Sequence, residues 1–318
     1  MKVCFIGACG HSKQAYKYLK TRADVAFVGM APESEHEGLS ASFAPAIPFY
    51  TDYLTMLDEV RPDLAVVSPV FGHTGRAIIE CAKRGIDVFA EKPVAATLDE
   101  LGEVEKAVRE SDIRFCAMHY LRYAPAFYHG AKLVSAGAIG EVRMATAQKS
   151  YRYGKRPAWY NDRALYGGTI PWVGIHAIDW IYHFTGKRFL SVSTRVVGRD
   201  PEMAALCQFE MEDGVIGGMN LDFYRPKEAP THGDDRIRCV GTKGVIEVRG
   251  GEILLINGEG EQILRPTDAP ELLEEFLDGG ESISPEELFY LTRVAILARD
   301  AGDAGDAGDA GDATGKTF

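Results

Sequence analysis

The chain has 318 residues, of which 46% are hydrophobic and 25% are charged, a composition typical of a folded globular enzyme and unlike a disordered or fibrous protein. Its length favours two domains. The formal net charge of −11 argues against DNA or RNA as a partner, because nucleic-acid binders need a concentrated basic surface.

The cysteines and the N-terminus indicate the compartment. Six cysteines occur without a Cys-x-x-Cys pair, which predicts reduced and mostly buried thiols and gives no zinc motif. The strand-like residues after Met1 are broken by glycine too early for a signal peptide, and no apolar run approaches the roughly 18 residues of a membrane span. We therefore expect a cytoplasmic protein without membrane contact.

Apolar runs alternate with helical segments over the N-terminal part of the chain. The predicted strands begin near Val3, Val25, Asp63, Asp87 and Ile113. Continuous apolar runs separated by helices are typical of a parallel sheet covered on both faces. Thr97 and Glu100 form a capping box that opens one of the helices. We predict an α/β protein whose residues 1–121 form a doubly wound, Rossmann-type dinucleotide-binding domain.

The pattern changes after a helix near residues 124–135. Six segments of alternating hydrophobicity follow, at residues 142–150, 190–197, 205–212, 215–223, 235–240 and 244–249. They predict an open, mainly antiparallel sheet within an α+β domain at residues 122–299, together with a helical insert at 171–185 and a last helix at 285–298. An Asp-Ala-Gly repeat predicts a flexible, low-complexity acidic tail at residues 300–318.

The turn after the first predicted strand is a candidate phosphate-binding loop. A dinucleotide fingerprint reads Gly-x-Gly-x-x-Gly, and here Gly7 fits the tight turn whereas Cys9 and Ser12 occupy the places of the other two glycines. The following helix N-terminus still offers an anion site. The candidate cofactor-binding residues of this loop are Gly7, Cys9, Gly10, His11 and Ser12. The motif alone leaves both binding and no binding open.

The end of the second predicted strand bears on the choice of cofactor. It reads Met30-Ala31-Pro32 and lacks the acid that usually holds the adenosine ribose. Glu33 and Glu35 follow in the loop and could replace that acid, and no Arg or Lys there supports a 2′-phosphate. We expect NAD in preference to NADP, with NADP and a strand end that binds nothing as open alternatives.

Two further segments carry candidate chemistry. Glu91-Lys92-Pro93 follows a predicted strand at the carboxyl edge of the sheet, where a lysine can stabilise a developing alkoxide. One face of the helical insert is shared by Trp172, His176, Asp179 and His183. We expect that face to line a cleft, and we expect no metal because no second motif adds ligands.

Together these segments resemble the Gfo/Idh/MocA family of oxidoreductases, named for glucose-fructose oxidoreductase and inositol dehydrogenase, over nearly the whole chain. The residues that carry the resemblance are Ser68-Pro69 with His73, Glu91-Lys92-Pro93, the segment from His119 to Pro125, Gly167-Gly168, Gly174-Ile175-His176 and the segment from Ile283 to Glu286. The resemblance implies a Rossmann domain followed by an open-sheet α+β domain, with the substrate between them.

The resemblance also assigns roles by position. Lys92 and His176 match the catalytic lysine and histidine of the family. The positions on the cofactor side are Ser68, Pro69, His73, Glu91 and Lys92. The candidate substrate residues are Arg122, Tyr123, Trp159, Trp172 and Asp179. Trp172 stands where many members have an aspartate four residues before the histidine, and as a helical neighbour of His176 it offers a stacking face for a sugar ring.

The sequence therefore supports two hypotheses about function. The first is an NAD(P)-dependent dehydrogenase that oxidises a secondary alcohol of a sugar, inositol or related polyol, with His176 as base and Lys92 stabilising the oxyanion. The alternative is a non-catalytic ligand sensor or scaffold that retains the fold. A six-stranded sheet without a covering helix would expose a large apolar face, which predicts a homodimer or homotetramer through the open sheet.

Overall fold

The computed structural model describes residues 1–37, 39, 43–44, 46–280, 282–306 and 316–318. Its N-terminal elements are β1 (Lys2–Ile6), α1 (Ser12–Leu19), β2 (Ala26–Ala31), α2 (Tyr53–Val60), β3 (Leu64–Val67), α3 (Thr74–Ala82), β4 (Asp87–Ala90), α4 (Leu98–Glu110) and β5 (Phe115–Ala117). The later elements are α5 (Pro125–Ser135), β6 (Val142–Tyr151), α6 (Arg163–Tyr166), α7 (Ile175–Thr185), β7 (Phe189–Val197), β8 (Ala204–Met211), β9 (Ile216–Asp222), β10 (Gly233–Gly241), β11 (Gly244–Arg249), β12 (Glu252–Asn257), β13 (Gly260–Leu264), α8 (Leu272–Asp278), α9 (Pro285–Asp306) and β14 (Lys316–Thr317).

The chain divides into two compact units that are not continuous in sequence. The first comprises Met1–Met118, Trp159–Gly167 and Leu272–Arg293. The second comprises His119–Ala158, Gly168–Glu271 and Val294–Phe318. The segments Trp159–Gly167 and Leu272–Arg293 thus belong to the first unit, although each follows a part of the second unit in the sequence.

The first unit is built on a five-stranded parallel sheet with the strand order β2-β1-β3-β4-β5. Its central strand β3 is buried at every position, as expected for a sheet covered on both faces. The capping box is present in modified form: the Thr97 hydroxyl accepts from the Glu100 amide at 3.2 Å, while the Glu100 carboxylate accepts from the Ala96 amide at 2.7 Å. The predicted doubly wound parallel sheet is confirmed.

The second unit is built on a larger sheet with the order β13-β12-β11-β10-β6-β9-β8-β7-β14. Neighbouring strands are antiparallel except β6 and β9, so the mainly antiparallel sheet is confirmed. The expectation of six strands was wrong, because nine strands are present among the described residues. In β12, Ile253 and Leu255 are buried between more exposed neighbours, and the Asn257-Gly258 turn leads into β13.

The outward face of this sheet is more polar than predicted. Leu206 and Ile216 are exposed there, but Thr146, Gln208 and Asn220 lie beside them in the adjacent strands. The expected large apolar face is therefore a mixed one, because polar residues occupy about half of the outward positions of β6 and β8.

The helical insert also differs from the prediction. Residues Ile170–Gly174 form a π-helical turn, and the α-helix α7 begins only at Ile175. The expected α-helical spacing between Trp172 and His176 was therefore wrong, since a π turn holds more residues than an α turn.

The last helix is longer than predicted. α9 continues to Asp306, so the first residues of the predicted flexible tail are helical, consistent with the alanines of the repeat as strong helix formers. The rest of the repeat, residues 307–315, lies outside the described residues. All six cysteines are free and five are buried, as expected. In the described part of the chain, no helix is both long and apolar enough to cross a membrane.

Candidate functional site

The loop between β1 and α1 is held against the residues that follow β3. Gly7 has a φ of +74°, and a Cβ atom there would lie 2.5 Å from the Pro69 Cα and from the Ser68 carbonyl oxygen. The Cys9 amide donates to the Ser68 carbonyl oxygen at 2.8 Å, and the Ser68 hydroxyl donates to the Cys9 carbonyl oxygen. Gly7 therefore meets both demands of the first fingerprint glycine, a left-handed backbone and a close approach.

A buried carboxylate at the end of β4 fixes the start of α1. Glu91 has no solvent exposure; it accepts a hydrogen bond from the His11 amide at 2.6 Å and lies 3.0 Å from the His11 Nδ1. The Lys92 Nζ lies 3.9 Å from the Glu91 Oε1, and Lys92 is only 2% exposed. Burial would raise the pKa of Glu91, but His11 and Lys92 outweigh it and lower that pKa. Glu91 therefore stays ionised and balances the Lys92 charge.

A second buried carboxylate lies beyond the end of β2. The Glu33 side chain is 1% exposed, and its Oε2 lies 2.7 Å from the His73 Nδ1 while its Oε1 pairs with Arg76. Burial would raise the pKa of Glu33, but His73 and Arg76 lower it overall. Of the two acids predicted to replace the missing strand-end acid, Glu33 is thus buried and ionised, whereas Glu35 is exposed.

The first unit has the features needed to hold a dinucleotide. The helix α1 begins at Ser12 directly after the loop, so its first amides and its dipole favour a phosphate. The buried Ser12 hydroxyl makes no hydrogen bond with the described residues, and a phosphate oxygen would satisfy it. Gly10, with a φ of +57°, gives the loop a second left-handed residue. The residues present therefore fit NAD. Among the described residues, no three His, Cys, Asp or Glu side chains are grouped to hold a metal ion.

In the second unit, two of the predicted substrate residues bind each other. The Arg122 Nε donates to the Asp179 Oδ1 at 2.9 Å, and the His119 Nδ1 lies 3.4 Å from the Asp179 Oδ2. Asp179 has no exposure and Arg122 is 5% exposed. Burial would raise the pKa of Asp179, but Arg122 and His119 hold it well below its ordinary value. The pair is therefore a buried ion pair.

His176, in α7, packs beside two aromatic rings. It is 2% exposed, and its ring centroid is 6.1 Å from that of His119 and 6.4 Å from that of Trp180. Trp172, in the π-helical turn, is 9% exposed. The face that was predicted to line a cleft is thus mostly buried, and of its four residues His183 is the one with appreciable exposure.

The remaining predicted residues lie in separate aromatic clusters. In the second unit, Tyr123 stacks on Tyr128 with ring centroids 6.1 Å apart. In the first unit, Trp159 packs edge-on against Phe71 at 5.0 Å and beside Tyr160 at 4.5 Å. All predicted cofactor residues and Trp159 therefore belong to the first unit, while the other candidate substrate residues and His176 belong to the second.

Sequence reasoning gave no role to three charged or titratable residues that the structure emphasises: His119, Arg76 and Lys149. The Lys149 side chain is fully buried, with its Nζ 2.8 Å from the Asp235 Oδ1 and 2.6 Å from the Tyr151 Oη. Burial lowers the pKa of Lys149 to about 8, although Asp235 opposes the shift. A lysine at an inward position of an alternating strand was the available signal.

Comparison with known proteins finds matches to two family domains and to solved structures. Residues 1–119 match the model of the oxidoreductase family with an NAD-binding Rossmann fold, and residues 129–247 match the GFO/IDH/MocA C-terminal domain. A solved structure from Thermotoga maritima is 37% identical, with 96% of this chain and 98% of that chain covered and a TM-score of 0.91. The solved levoglucosan dehydrogenase complex with NADH and levoglucosan, 17% identical over 96% of this chain and 97% of that chain with a TM-score of 0.80, shares the fold.

The curated relatives have lower sequence identity to this chain than the Thermotoga maritima structure, and the matches span only part of their length. A scyllo-inositol 2-dehydrogenase (NAD(+)) from Bacillus subtilis is 26% identical over 65% of this chain and 62% of its own length. An oxidoreductase from Streptococcus pneumoniae is 27% identical over 68% of this chain, and the match spans 58% of that protein. With both of its domain models matched and a 37% identical relative covered almost completely, the chain belongs to the GFO/IDH/MocA oxidoreductase family, whose N-terminal domain is an NAD-binding Rossmann fold.

Proposed function

We propose that the protein is an NAD-dependent dehydrogenase that oxidises a secondary alcohol of a sugar, an inositol or a related polyol. The observation that carries the proposal is the cluster at the end of β4. There the buried Lys92 ammonium and the start of α1 share one carboxylate, Glu91. A cation held in this way next to a dinucleotide loop is suited to stabilise an oxyanion close to a bound nicotinamide. The names of the inositol and levoglucosan dehydrogenases support the substrate class.

Two side chains are proposed to act on the substrate hydroxyl. His176 accepts the hydroxyl proton, and Lys92 hydrogen-bonds the oxygen as its negative charge develops. NAD, when bound, supplies the hydride acceptor. Because both side chains are almost fully buried, water is excluded from them and their electrostatic effect is strengthened.

We further propose that the cofactor is held by the β1–α1 loop and by the residues that follow β3 and β4. The cofactor residues are Gly7, Cys9, Gly10, His11, Ser12, Ser68, Pro69, His73, Glu91 and Lys92. Glu33 places a buried negative charge in the loop after β2, and this charge disfavours the 2′-phosphate of NADP. NAD is therefore the preferred cofactor.

The substrate contacts are proposed to come from aromatic faces and from the buried ion pair. Tyr123, Trp159 and Trp172 offer rings against which the apolar face of a sugar can lie. Arg122 and Asp179 fix each other, so they shape the site as one unit.

For the association of subunits, we propose that the outward face of the large sheet receives a second copy of the chain, since Leu206 and Ile216 are exposed there.

The proposal is tested by measuring NAD⁺ reduction with a panel of inositols, aldoses and anhydrosugars, first with the wild-type protein and then with Lys92→Ala. We expect Lys92→Ala to lower kcat/KM at least about 100-fold, because one positioned electrostatic group is removed. Lys83→Ala, at a lysine whose side chain is 62% exposed, is the control and should retain activity. Activity of Lys92→Ala within about threefold of wild type, with the fold intact, would refute the role of Lys92.

A further inference from the structure

The second unit contains a pair of buried polar atoms without hydrogen-bond partners. The His119 Nδ1 and the Asp179 Oδ2 lie 3.4 Å apart, and neither makes a hydrogen bond with the described residues. His119 is 1% exposed and Asp179 is not exposed. A buried carboxylate oxygen left without a hydrogen bond is costly, and such a group calls for a functional explanation.

The two oxygens of the Asp179 carboxylate face different neighbours. Arg122 donates hydrogen bonds to the Asp179 Oδ1, whereas Oδ2 is directed to His119. Arg122 and His119 keep Asp179 ionised against the effect of burial, as its lowered pKa indicates. A proton on the His119 Nδ1 then faces a negative charge, which fixes the tautomer of that ring. The same logic orients the histidine in other carboxylate–histidine pairs.

His119 is also in contact with His176. Their ring centroids are 6.1 Å apart with an interplanar angle of 72°, an edge-to-face arrangement. Asp179 lies three residues after His176 in α7, so the two side chains are neighbours on the helix. The His176 ring is therefore flanked by an imidazole and by the carboxylate that orients this imidazole.

Among the other charged groups near His176, Arg122 pairs with Asp179, and its positive charge offsets part of the effect of that carboxylate. His183 lies two turns along the same helix, and burial lowers its pKa to about 4, so it is neutral at pH 7. From β6 and β10 come Lys149 and Asp235, an ion pair whose Lys149 Nζ lies 4.8 Å from the centroid of the Trp180 ring that packs beside His176. From α5 comes Phe127, an uncharged side chain that stacks on Trp180 at 4.1 Å.

A buried histidine base faces a specific difficulty. Protonation puts a positive charge into surroundings that solvate it poorly, and an anion within about 4 to 6 Å offsets the cost. Asp179 is the carboxylate nearest in sequence on that helix, and its Oδ2 is directed to the ring that touches His176.

We propose that His119 is a positioning residue for His176, and that it works with Asp179 to place a carboxylate charge behind the base that takes the substrate proton. The proposal rests on the proposed dehydrogenase function, in which the proton moves from the substrate hydroxyl to His176. His119 holds the His176 ring by its edge-to-face contact and connects it to Asp179. No role of this kind follows for His183, although it lies on the same helix.

The first test is kinetic and uses His119→Gln and His119→Phe. We expect both variants to lower kcat at least about tenfold with KM within about twofold, because the base is weakened without loss of substrate contacts. His119→Phe keeps the ring packing, so recovery of kcat by Phe but not by Gln would show a purely structural role and overturn the proposal. His183→Gln is the matched control and should leave kcat and the thermal midpoint unchanged.

The pH profile adds a readout that a structural role would not change. In the His119 variants the Asp179 carboxylate remains, but the imidazole through which it acts on His176 is gone, so the protonated base is less stabilised and forms only at lower pH. The acidic limb of kcat/KM should therefore move to lower pH by about one unit in the His119 variants, with a lower plateau. An unchanged limb in a folded variant contradicts the proposal.

The second test needs no substrate, so it separates this inference from the dehydrogenase assignment. The His176 ring is titrated by NMR in histidine-labelled protein and assigned with His176→Gln. We expect its titration midpoint to fall by about one pH unit in Asp179→Asn. If Asp179→Asn does not fold, His119→Phe takes its place and should shift the midpoint in the same direction. A midpoint equal to that of wild type in either folded variant overturns the inference, even if dehydrogenase activity is found.

Discussion

The Glu91 cluster of the first unit and the Asp179 cluster of the second each place a histidine and a basic side chain beside a buried carboxylate, but the two are built differently. In the first unit, the basic side chain is Lys92, 3.9 Å from Glu91 and too distant for a hydrogen bond with it. In the second, it is Arg122, which hydrogen-bonds Asp179 directly at 2.9 Å. Glu91 receives a backbone amide at 2.6 Å, whereas one oxygen of Asp179 makes no hydrogen bond with the described residues.

The difference shows how one set of residue types can serve two purposes. A direct guanidinium–carboxylate pair fixes geometry, and its loss leaves an unpaired buried charge. An ammonium 3.9 Å from a carboxylate has its charge balanced without the fixed fork geometry of a guanidinium pair. Under the proposed function, Arg122 therefore contributes mainly to stability and Lys92 mainly to catalysis.

The largest expected effect is on stability, in the second unit. Arg122→Met leaves Asp179 buried and uncompensated, so we expect the free energy of unfolding to fall by about 3 to 5 kcal/mol. Urea denaturation monitored by circular dichroism measures the change. The control is Arg143→Met, whose exposed pair with Glu141 should contribute less than about 1 kcal/mol. Equal losses of unfolding free energy in the two variants would contradict the difference proposed between the buried and the exposed ion pair.

A smaller effect concerns cofactor choice in the first unit. Glu33→Gln removes the buried charge that disfavours a 2′-phosphate and leaves Arg76 and His73 beside it. We expect the ratio of the Kd values for NADP and NAD to fall about tenfold, measured by calorimetry without substrate. Glu35→Gln, at an exposed acid two residues away, is the control and should leave the ratio unchanged. An equal change in both variants would remove Glu33 from the cofactor site.

A third effect concerns Glu37, a carboxyl whose pKa is set mainly by burial. Glu37 accepts hydrogen bonds from the Val70 amide at 3.1 Å and the Glu33 amide at 3.2 Å, and burial raises its pKa to about 8. A raised folded-state pKa means that wild-type stability falls as pH rises from about 4.5 to about 8, because only the folded state resists ionisation. Glu37→Gln should abolish this loss and raise the thermal midpoint at pH 8 relative to wild type, by about 2 to 4 °C for each kcal/mol recovered.

The control for this prediction is the same comparison at pH 4, where Glu37 is neutral in both the folded and the unfolded protein. There the variant and the wild type should have similar thermal midpoints. A difference that is the same at both pH values would show that Glu37 is ionised in the folded protein at neutral pH, contrary to its raised pKa.

Much of the fold could be predicted because its signals are local. Continuous apolar runs such as β3 and the Thr97 cap identified the parallel sheet, and alternation identified most of the second sheet. The strands β12 and β13 were missed although Asn257-Gly258 is a hairpin signal. The π-helical turn before α7 could not be predicted, since its sequence reads as an ordinary apolar helix.

The positions of the candidate site residues could be predicted where a motif fixes them. The pairing of charged side chains by tertiary contacts could not. The sequence placed Lys92 after a strand and His176 on a helix, and both are there. It gave no sign that Asp179 would meet His119, which lies 60 residues earlier in the chain, or that Arg76 would meet Glu33. Such pairs depend on which loops the fold brings together.

Hydride transfer from the substrate to NAD is tested most directly by following the hydrogen itself. A substrate found in the panel is prepared with deuterium on the carbinol carbon and is oxidised by the wild-type protein with NAD⁺. The account predicts that the deuterium is recovered on C4 of the reduced nicotinamide, and that the Lys92→Ala variant forms this product at least about 100-fold more slowly. Reduced nicotinamide without deuterium, or equal rates for the two proteins, would contradict it.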